Sequence, residues 1–311
     1  MKISLCICTC ERPQLLERLL TSLKGIELGA LSADEVEIVV VDNCPDGSAE
    51  ALCRRLAGGL PLSLRYAAEP TRGISFARNR AVEEALSAGA DFIAFIDDDD
   101  IPEPDWLLRL AERQQATGAD IVAGLSRVDP RSDVPEWAKD TPLVGPRRKN
   151  RLNSYGIPAG MSTCNVLIGR EILDRVSSKG PVFAPEFAFC GNEDIDFFIR
   201  AGRQGASFDR AESSVVRRSH DRKRFTMRGV LRRGFRLGNA HMYIAQKHAT
   251  AAQVRRRRNK ALRDLLLGAA VLPALVFSRA RFMRRLYVIG NKYGALCRYL
   301  GIGSDYYRNS S

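Results

Sequence analysis

The chain has 311 residues, 45% hydrophobic and 27% charged, a composition that excludes a disordered chain and allows a sizeable core. Its net charge of +12 is unevenly placed. From Arg217 onward 23 Lys/Arg face three acids, so an acidic body precedes a strongly basic tail.

Ile3 to Thr9 reads as a short apolar strand that soon meets Glu11, Arg12 and Pro13. A secretory signal needs a longer apolar stretch and a small-residue cleavage site, so a cytoplasmic protein with reduced cysteines is expected. Cys6, Cys8 and Cys10 alternate along the strand and share one face; with no CxxC pair or His-rich partner, they read as small hydrophobes and not as zinc ligands. Leu15, Leu16, Leu19, Leu20 and Leu23 then recur at helical spacing. Val36 to Val41 is a second strand without alternation, the pattern of a strand covered on both faces. It ends in a polar turn at Asp42 and Asn43, followed by a helix over Ala49 to Leu56. Leu62 to Ala67 reads as a third strand, Phe76 to Ala88 as a helix, and Phe92 to Ile96 as a fourth strand running into Asp97, Asp98, Asp99 and Asp100. Repeated strand–turn–helix units predict an α/β fold: a mostly parallel, Rossmann-like sheet flanked by helices, with right-handed crossovers. Ligands of such sheets bind beyond the carboxyl ends of the strands, where Thr9 to Arg12, Asp42 with Asn43, and the aspartate run all fall.

Residues 128–158, rich in Pro, Arg and Asp, read as loops. Met161 to Ile168 is a further strand candidate. Asn192 to Gly205 reads as a helix, with Asn192 as its cap, acids in its first turn and Gly205 as its stop.

Four consecutive carboxylates after a buried strand repel one another by about 4 kcal/mol per pair at 4 Å and an effective dielectric near 20. A divalent cation removes that cost, and oxygen ligation suits Mg²⁺ or Mn²⁺. On an extended chain Asp97 and Asp99 lie on one side and Asp98 on the other. Arg12, Arg72 and Arg78 are within reach of the same edge and suit phosphate. The chain carries neither a Walker sequence nor GxGxxG, which removes support for P-loop hydrolysis and dinucleotide redox chemistry.

Ile7-Cys8-Thr9-Cys10-Glu11-Arg12-Pro13, Val41-Asp42-Asn43, Gly73 to Arg80, Phe95 to Asp100 and Gly191-Asn192-Glu193-Asp194, in that order, resemble glycosyltransferase family 2. Within it, Cys190 to Phe198 and the basic tail look most like bacterial exopolysaccharide glucosyltransferases of the succinoglycan type. The resemblance implies a GT-A fold over residues 1–228, with a basic helical extension over 229–311. It implies an inverting, metal-dependent transfer of a hexose, glucose by preference, from a UDP-sugar. It assigns Thr9, Glu11, Arg12, Asp42, Arg72, Arg78 and Asp98 to the nucleotide-sugar, with Asp42 at the uracil edge. Asp97 and Asp99 become metal ligands, although four aspartates leave the register open, and a late histidine, His220, is a third candidate. Asp194 becomes the general base, and Asn165 and Glu193 candidates for the sugar or acceptor pocket. A helix-capping role for Glu193 and Asp194 is the alternative from position alone.

Leu265 to Phe277 is apolar but too short to span a bilayer. With arginines on both sides it fits either a segment lying on an anionic leaflet or a buried helix. The first reading places the protein at the inner face of the cell membrane, beside a polyprenyl-diphosphate-linked or growing glycan acceptor. Two rival classes remain: a sugar-phosphate nucleotidyltransferase, whose Gly-rich loop after the first strand is missing, and a basic nucleic-acid-binding protein, which leaves the aspartates unexplained. No nucleic-acid partner is expected.

Overall fold

A computed structural model of the chain describes residues 1–139, 143–144 and 152–303. Its first half alternates as the hydrophobic pattern predicts: β1 (Ile3–Thr9), α1 (Pro13–Ser22), β2 (Val36–Asp42), α2 (Glu50–Ala57), β3 (Ser63–Ala68), α3 (Ile74–Ser87) and β4 (Phe92–Asp97). Then come β5 (Asp100–Pro102), α4 (Trp106–Thr117), β6 (Ile121–Val128), α5 (Glu136–Lys139), β7 (Asn165–Gly169), α6 (Arg170–Ser177), α7 (Glu193–Arg203) and β8 (Phe208–Arg218). One eight-stranded sheet results, in the order β3-β2-β1-β4-β7-β6-β8-β5. The four strands from β3 to β4 are mutually parallel. The sheet then turns mixed, with β7 antiparallel to both β4 and β6, and β8 parallel to β6. The anticipated strand near Met161 begins only at Asn165. Of the stretch expected as loops, residues 140–142 and 145–151 lie outside the described residues, and α5 interrupts the rest.

The strands separate two apolar layers by simple alternation. Ile3, Leu5 and Ile7 of β1 pack with Leu16, Leu19 and Leu20 of α1 and Trp106, Leu107 and Leu110 of α4. Cys6 points the other way, with Cys8 against the same layer, toward Ala77 and Ala81 of α3 and Phe183, Phe187 and Phe197 around α7. Fully burying one such Leu, Ile or Phe contributes about 1.5–3 kcal/mol, so the two layers fix the sheet edge that carries the polar clusters. All eight cysteines are free thiols.

The basic tail is three helices, α8 (Met227–His248), α9 (Ala251–Val271) and α10 (Arg279–Tyr299). Thr226 caps α8 by accepting from the Gly229 amide, and Thr250 with Gln253 forms a capping box on α9. Helices α8 and α10 meet backbone to backbone at Gly234 and Gly238 on one and Gly290 and Gly294 on the other. A Cβ on Gly238 would lie 1.8 Å from the Asn291 carbonyl oxygen, and one on Gly294 2.0 Å from that of Phe235, so only glycine permits this approach. The apolar run expected near Leu265 to Phe277 forms the end of α9 and a 3-10 turn over Leu272–Leu275. It is not a buried helix: Leu266, Leu267, Val271, Val276 and Phe277 are all exposed, Phe277 by 97%.

Candidate active site

The parallel register sets the site. Thr9 lies opposite Asp42, and Cys8 opposite Asp97, so three strand ends stop at one level. Beyond Asp97 the chain does not stay extended. Asp98 and Asp99 form a turn and Asp100 opens β5, which replaces the two-sided arrangement expected of an extended run. The turn gathers Asp97 and Asp100 with Cys164, their ligand atoms lying within 4.8 Å of one another.

Arg218, at the end of β8, binds both of these acids. Its Nε and Nη2 donate to the two carboxylate oxygens of Asp100 at 2.8 and 2.6 Å, and Nη2 also reaches Asp97 at 2.7 Å. Burial works against both charges, yet the acids around Arg218 hold its guanidinium well above the ordinary arginine value. Asp100 is raised by the same burial against the pull of Arg218; with two short contacts it remains the anionic half of the pair. The other oxygen of Asp97 accepts from Arg78 at 3.4 Å. Arg78, almost fully buried on α3, also donates to Glu193 at the start of α7. One guanidinium thus joins the aspartate run to the helix that carries Asp194.

Asp98 turns inward. Thr9 donates to it at 2.8 Å and Arg12 at 3.3 Å, and burial pushes its carboxyl up to about 6 against the pull of Arg12. Asp42 is also fully buried; it accepts from the amides of Cys44 and Ala49 at 3.1 and 2.7 Å and from the Tyr66 hydroxyl at 3.3 Å. Its oxygens shape the loop into α2. Neighbouring Asn43 latches the next loop, donating to the Glu69 and Thr71 carbonyls and accepting from the Gly73 amide. Glu11 pairs with Arg72 at 3.2 Å where the rim is solvent-exposed.

Helix α7 enters through two left-handed residues, Gly191 at φ 78° and Asn192 at φ 70°. Asn192 tolerates that conformation and marks the entry as constrained. Asp194 is half-buried; burial raises its carboxyl above 3.8 against the pull of Arg78, while Asp97 adds to the rise. Two residues on, Asp196 is held near 2: burial opposes this, but His248, Lys247 and Arg200 all bond it, which ties α7 to the end of α8. Around this entry the Asn192 amide nitrogen, one Glu193 oxygen and the Thr163 hydroxyl are buried without a hydrogen-bond partner. Orphaned polar atoms are rare in folded proteins, and a cluster of them suits a hydroxyl-rich ligand.

Residues 4–177 match the sequence profile of Glycosyl transferase family 2. The chain belongs to glycosyltransferase family 2. Succinoglycan biosynthesis protein ExoM of Rhizobium meliloti (strain 1021) is 30% identical over 257 residues, which span 78% of this chain and 74% of that protein. The mannosyltransferase PcManGT from Pyrobaculum calidifontis, solved in complex with GDP-Man and Mn²⁺, shares the fold at a TM-score of 0.57 and 18% identity, over 95% of this chain and 87% of its own. S. aureus TarS 1–349 in complex with UDP does so at 0.52 and 16%, over 97% and 92%.

A divalent cation of the kind this family's fold implies fits the residues at the β4 end. Asp99 is half-exposed and forms no hydrogen bond or ion pair among the described residues, leaving its oxygens available beside Asp97. Burial pushes Cys164 up to about 12, so it stays a neutral thiol and the anionic donors are all oxygen.

Other residues expected in this glycosyltransferase site sit differently. His220 is buried with Nε2 2.8 Å from the Val144 carbonyl and Nδ1 3.3 Å from Arg224, so both ring nitrogens face protein groups. Asn165 is buried where β6 and β8 slip register between Ala123 and Leu125. It donates to the Leu125 and Ser214 carbonyls, each at 3.2 Å, and accepts from the Ser214 hydroxyl. A Cβ on Gly124 would collide with it at 2.3 Å. It pins the sheet and has no free polar atom for a sugar. In the sequence Arg218 follows Arg217 at the head of a long basic run, and only its place as the last residue of β8 sets it apart.

Proposed function

We propose that this glycosyltransferase moves a hexose, glucose by preference, with inversion from a UDP-sugar to a lipid-linked or growing polysaccharide acceptor in exopolysaccharide or cell-surface glycan synthesis. The observation that carries this reading is Arg78, which contacts Asp97 at the strand end and Glu193 beside Asp194. It holds a carboxylate base across from the acidic edge, as single displacement requires. Asp194 takes the proton of the acceptor hydroxyl. Thr9, Arg12, Asp42 and Asp98 fix the walls of the donor site, with Glu11, Arg72 and Arg78 at its rim and floor. Asp97 and Asp99 would hold Mn²⁺ or Mg²⁺, which when bound neutralises the departing diphosphate. Asn192, Glu193 and Thr163 offer their unsatisfied atoms to sugar hydroxyls.

The UDP of the TarS complex and the GDP-Man with Mn²⁺ of the mannosyltransferase support a nucleotide-sugar donor and a metal here. The name of ExoM supports exopolysaccharide synthesis. Family membership sets aside the nucleotidyltransferase reading, and a nucleic-acid-binding protein would have no use for the Arg78-linked carboxylates.

No helix among the described residues is long and apolar enough to cross a membrane. The exposed Leu266, Leu267, Val271, Val276 and Phe277 lie between Arg255 to Arg258 and the arginines at 279, 281, 284 and 285. An apolar tip ringed by arginines suits the anionic inner leaflet, and docking there brings the site to a lipid-linked acceptor. A screen of UDP-glucose, UDP-galactose and GDP-mannose by nucleotide release with Mn²⁺ tests the donor assignment. Release from GDP-mannose alone, or from none of them in the presence of acceptor-bearing membranes, would sink it.

A further inference from the structure

Asp194 sits in the first turn of α7, and that turn does not hold itself. The Asn192 side chain makes no cap, and the chain enters through the left-handed pair Gly191 and Asn192. The contacts that fix the helix start come from elsewhere. On the site side, Arg78 bonds Glu193. On the far side stands Asp196; two residues beyond Asp194, it faces nearly the opposite way around the helix. Asp196 is fully buried and takes three donors. Arg200 Nε reaches it at 2.8 Å from its own helix, and Lys247 Nζ and His248 Nε2 reach it, each at 2.8 Å, from the last turn of α8. Arg200, at i+4, already supplies a counter-charge, so the two donors from α8 add restraint on how α7 is turned. His248 is itself set: its Nδ1 accepts from Arg203 Nη1 at 2.9 Å, and Arg203 Nη2 donates to the His248 carbonyl at 2.9 Å. Nε2 therefore carries the ring proton that Asp196 receives. Lys247 reaches both sides of the α7 entry. Besides Asp196 it pairs with Glu186 at 2.6 Å, and its ammonium lies 4.9 Å over the Phe187 ring, which packs on Tyr243 of α8 at 4.7 Å. One turn of α8 thus brackets the segment that carries Gly191, Asn192, Glu193 and Asp194.

We propose that Lys247 and His248 are positioning residues for the transfer reaction: through Asp196 and Glu186 they hold the start of α7 at the rotation that turns the Asp194 carboxylate toward the acidic edge. The inference rests on the transferase reading and gives the tail a part in it, since the first tail helix ends in this clamp and the second begins at Ala251, just beyond it. A base must lie within hydrogen-bond reach of the hydroxyl it serves. A small rotation of α7 therefore slows transfer while the donor walls at Thr9, Asp42 and Asp98 stay in place.

Full-length wild type, His248→Ala, His248→Gln and Lys247→Met are compared for UDP release with Mn²⁺ and acceptor-bearing membranes, and for UDP affinity, at a temperature where circular dichroism shows each folded. Lys247 and Arg200 still counter the Asp196 charge in His248→Ala, so the fold is expected to persist. In His248→Ala kcat is expected to fall about tenfold or more, with donor KM and UDP affinity within about twofold of wild type. His248→Gln, whose amide donates from the place of Nε2, is expected to recover most of the lost kcat. Should His248→Ala not fold, Lys247→Met reads the same split, with His248 and Arg200 left on Asp196. A kcat within about twofold of wild type in the folded variant, or a loss that falls on KM and UDP affinity instead, overturns this inference alone. A Gln variant no more active than the Ala variant overturns it as well. A wild type that releases no UDP overturns it together with the transferase reading.

Discussion

Arg218 grips Asp100 with two nitrogens, Nε at 2.8 Å and Nη2 at 2.6 Å, across β5 and β8, where the two residues face each other in the antiparallel register. The pair closes the acidic turn from the side opposite Arg78. Asp100 is fully buried and Arg218 a quarter exposed, so the guanidinium is the dominant countercharge for an acid that water cannot reach. Arg218→Met is predicted to destabilise the fold by about 3 kcal/mol, the low end for breaking a buried pair. Adding Asp100→Asn should recover most of that loss, because it removes the stranded charge. Urea unfolding midpoints of the two variants check this; a double variant no more stable than Arg218→Met would refute it.

Asp194 should give activity an acid limb displaced upward. Burial raises its carboxyl above 3.8, so the protonated form that cannot act as a base persists to higher pH than in an ordinary aspartate. kcat/KM is predicted to fall as pH drops through that raised value. The same shift makes the stability contribution of Asp194 fully present at low pH and lost as pH rises through its folded-state value. Asp194→Asn, which cannot ionise, should therefore leave stability at pH 8 unchanged or higher while transfer is lost. A thermal melt that shows the variant clearly less stable at pH 8 would contradict the assignment.

Close helix contact makes Gly238 a sensitive position. Gly238→Ala places a methyl 1.8 Å from the Asn291 carbonyl and must push α8 from α10, a cost on the order of 1–3 kcal/mol. Gly25→Ala, with nothing within 4 Å of the added carbon, serves as the control. Differential scanning calorimetry should show a lowered midpoint for the first and a midpoint within a degree or two of wild type for the second.

Membrane docking predicts a salt-sensitive association. Full-length protein should float with vesicles of phosphatidylglycerol and phosphatidylethanolamine, and Leu267→Ser with Phe277→Ser should leave it in the soluble fraction. Retention of the double variant on the vesicles would show that the exposed tip is not the anchor.

The legible part of the molecule is the part where one signal dominates. β1, β2 and β4 are buried on both faces, so Val36 to Val41 and Phe92 to Ile96 announce themselves as unbroken apolar runs, and their ends locate Thr9, Asp42 and Asp97. β8 is hidden: Phe-Asp-Arg-Ala-Glu-Ser-Ser-Val-Val-Arg-Arg is mostly polar, and its pairing with β6 slips register beside Asn165. That is why, from sequence, Arg218 falls within a basic tail that starts at Arg217 and Asn165 within the sugar pocket. The aspartate run is legible in the sequence but its shape is not, since the turn at Asp98 and Asp99 brings Asp97 toward Asp100 and depends on β5 pairing with a strand more than a hundred residues away. The glycines of α8 and α10 carry no hydrophobic periodicity, and their role exists only in the pair.

The measurement that bears most directly on the whole account is UDP release from a UDP-hexose in the presence of Mn²⁺ and acceptor-bearing membranes, with wild type and Asp194→Asn compared side by side and UDP affinity measured on both. The account predicts acceptor-dependent release by the wild type, a fall of at least a hundredfold in the variant, and UDP affinities within twofold of each other. Equal release by the two proteins would contradict it.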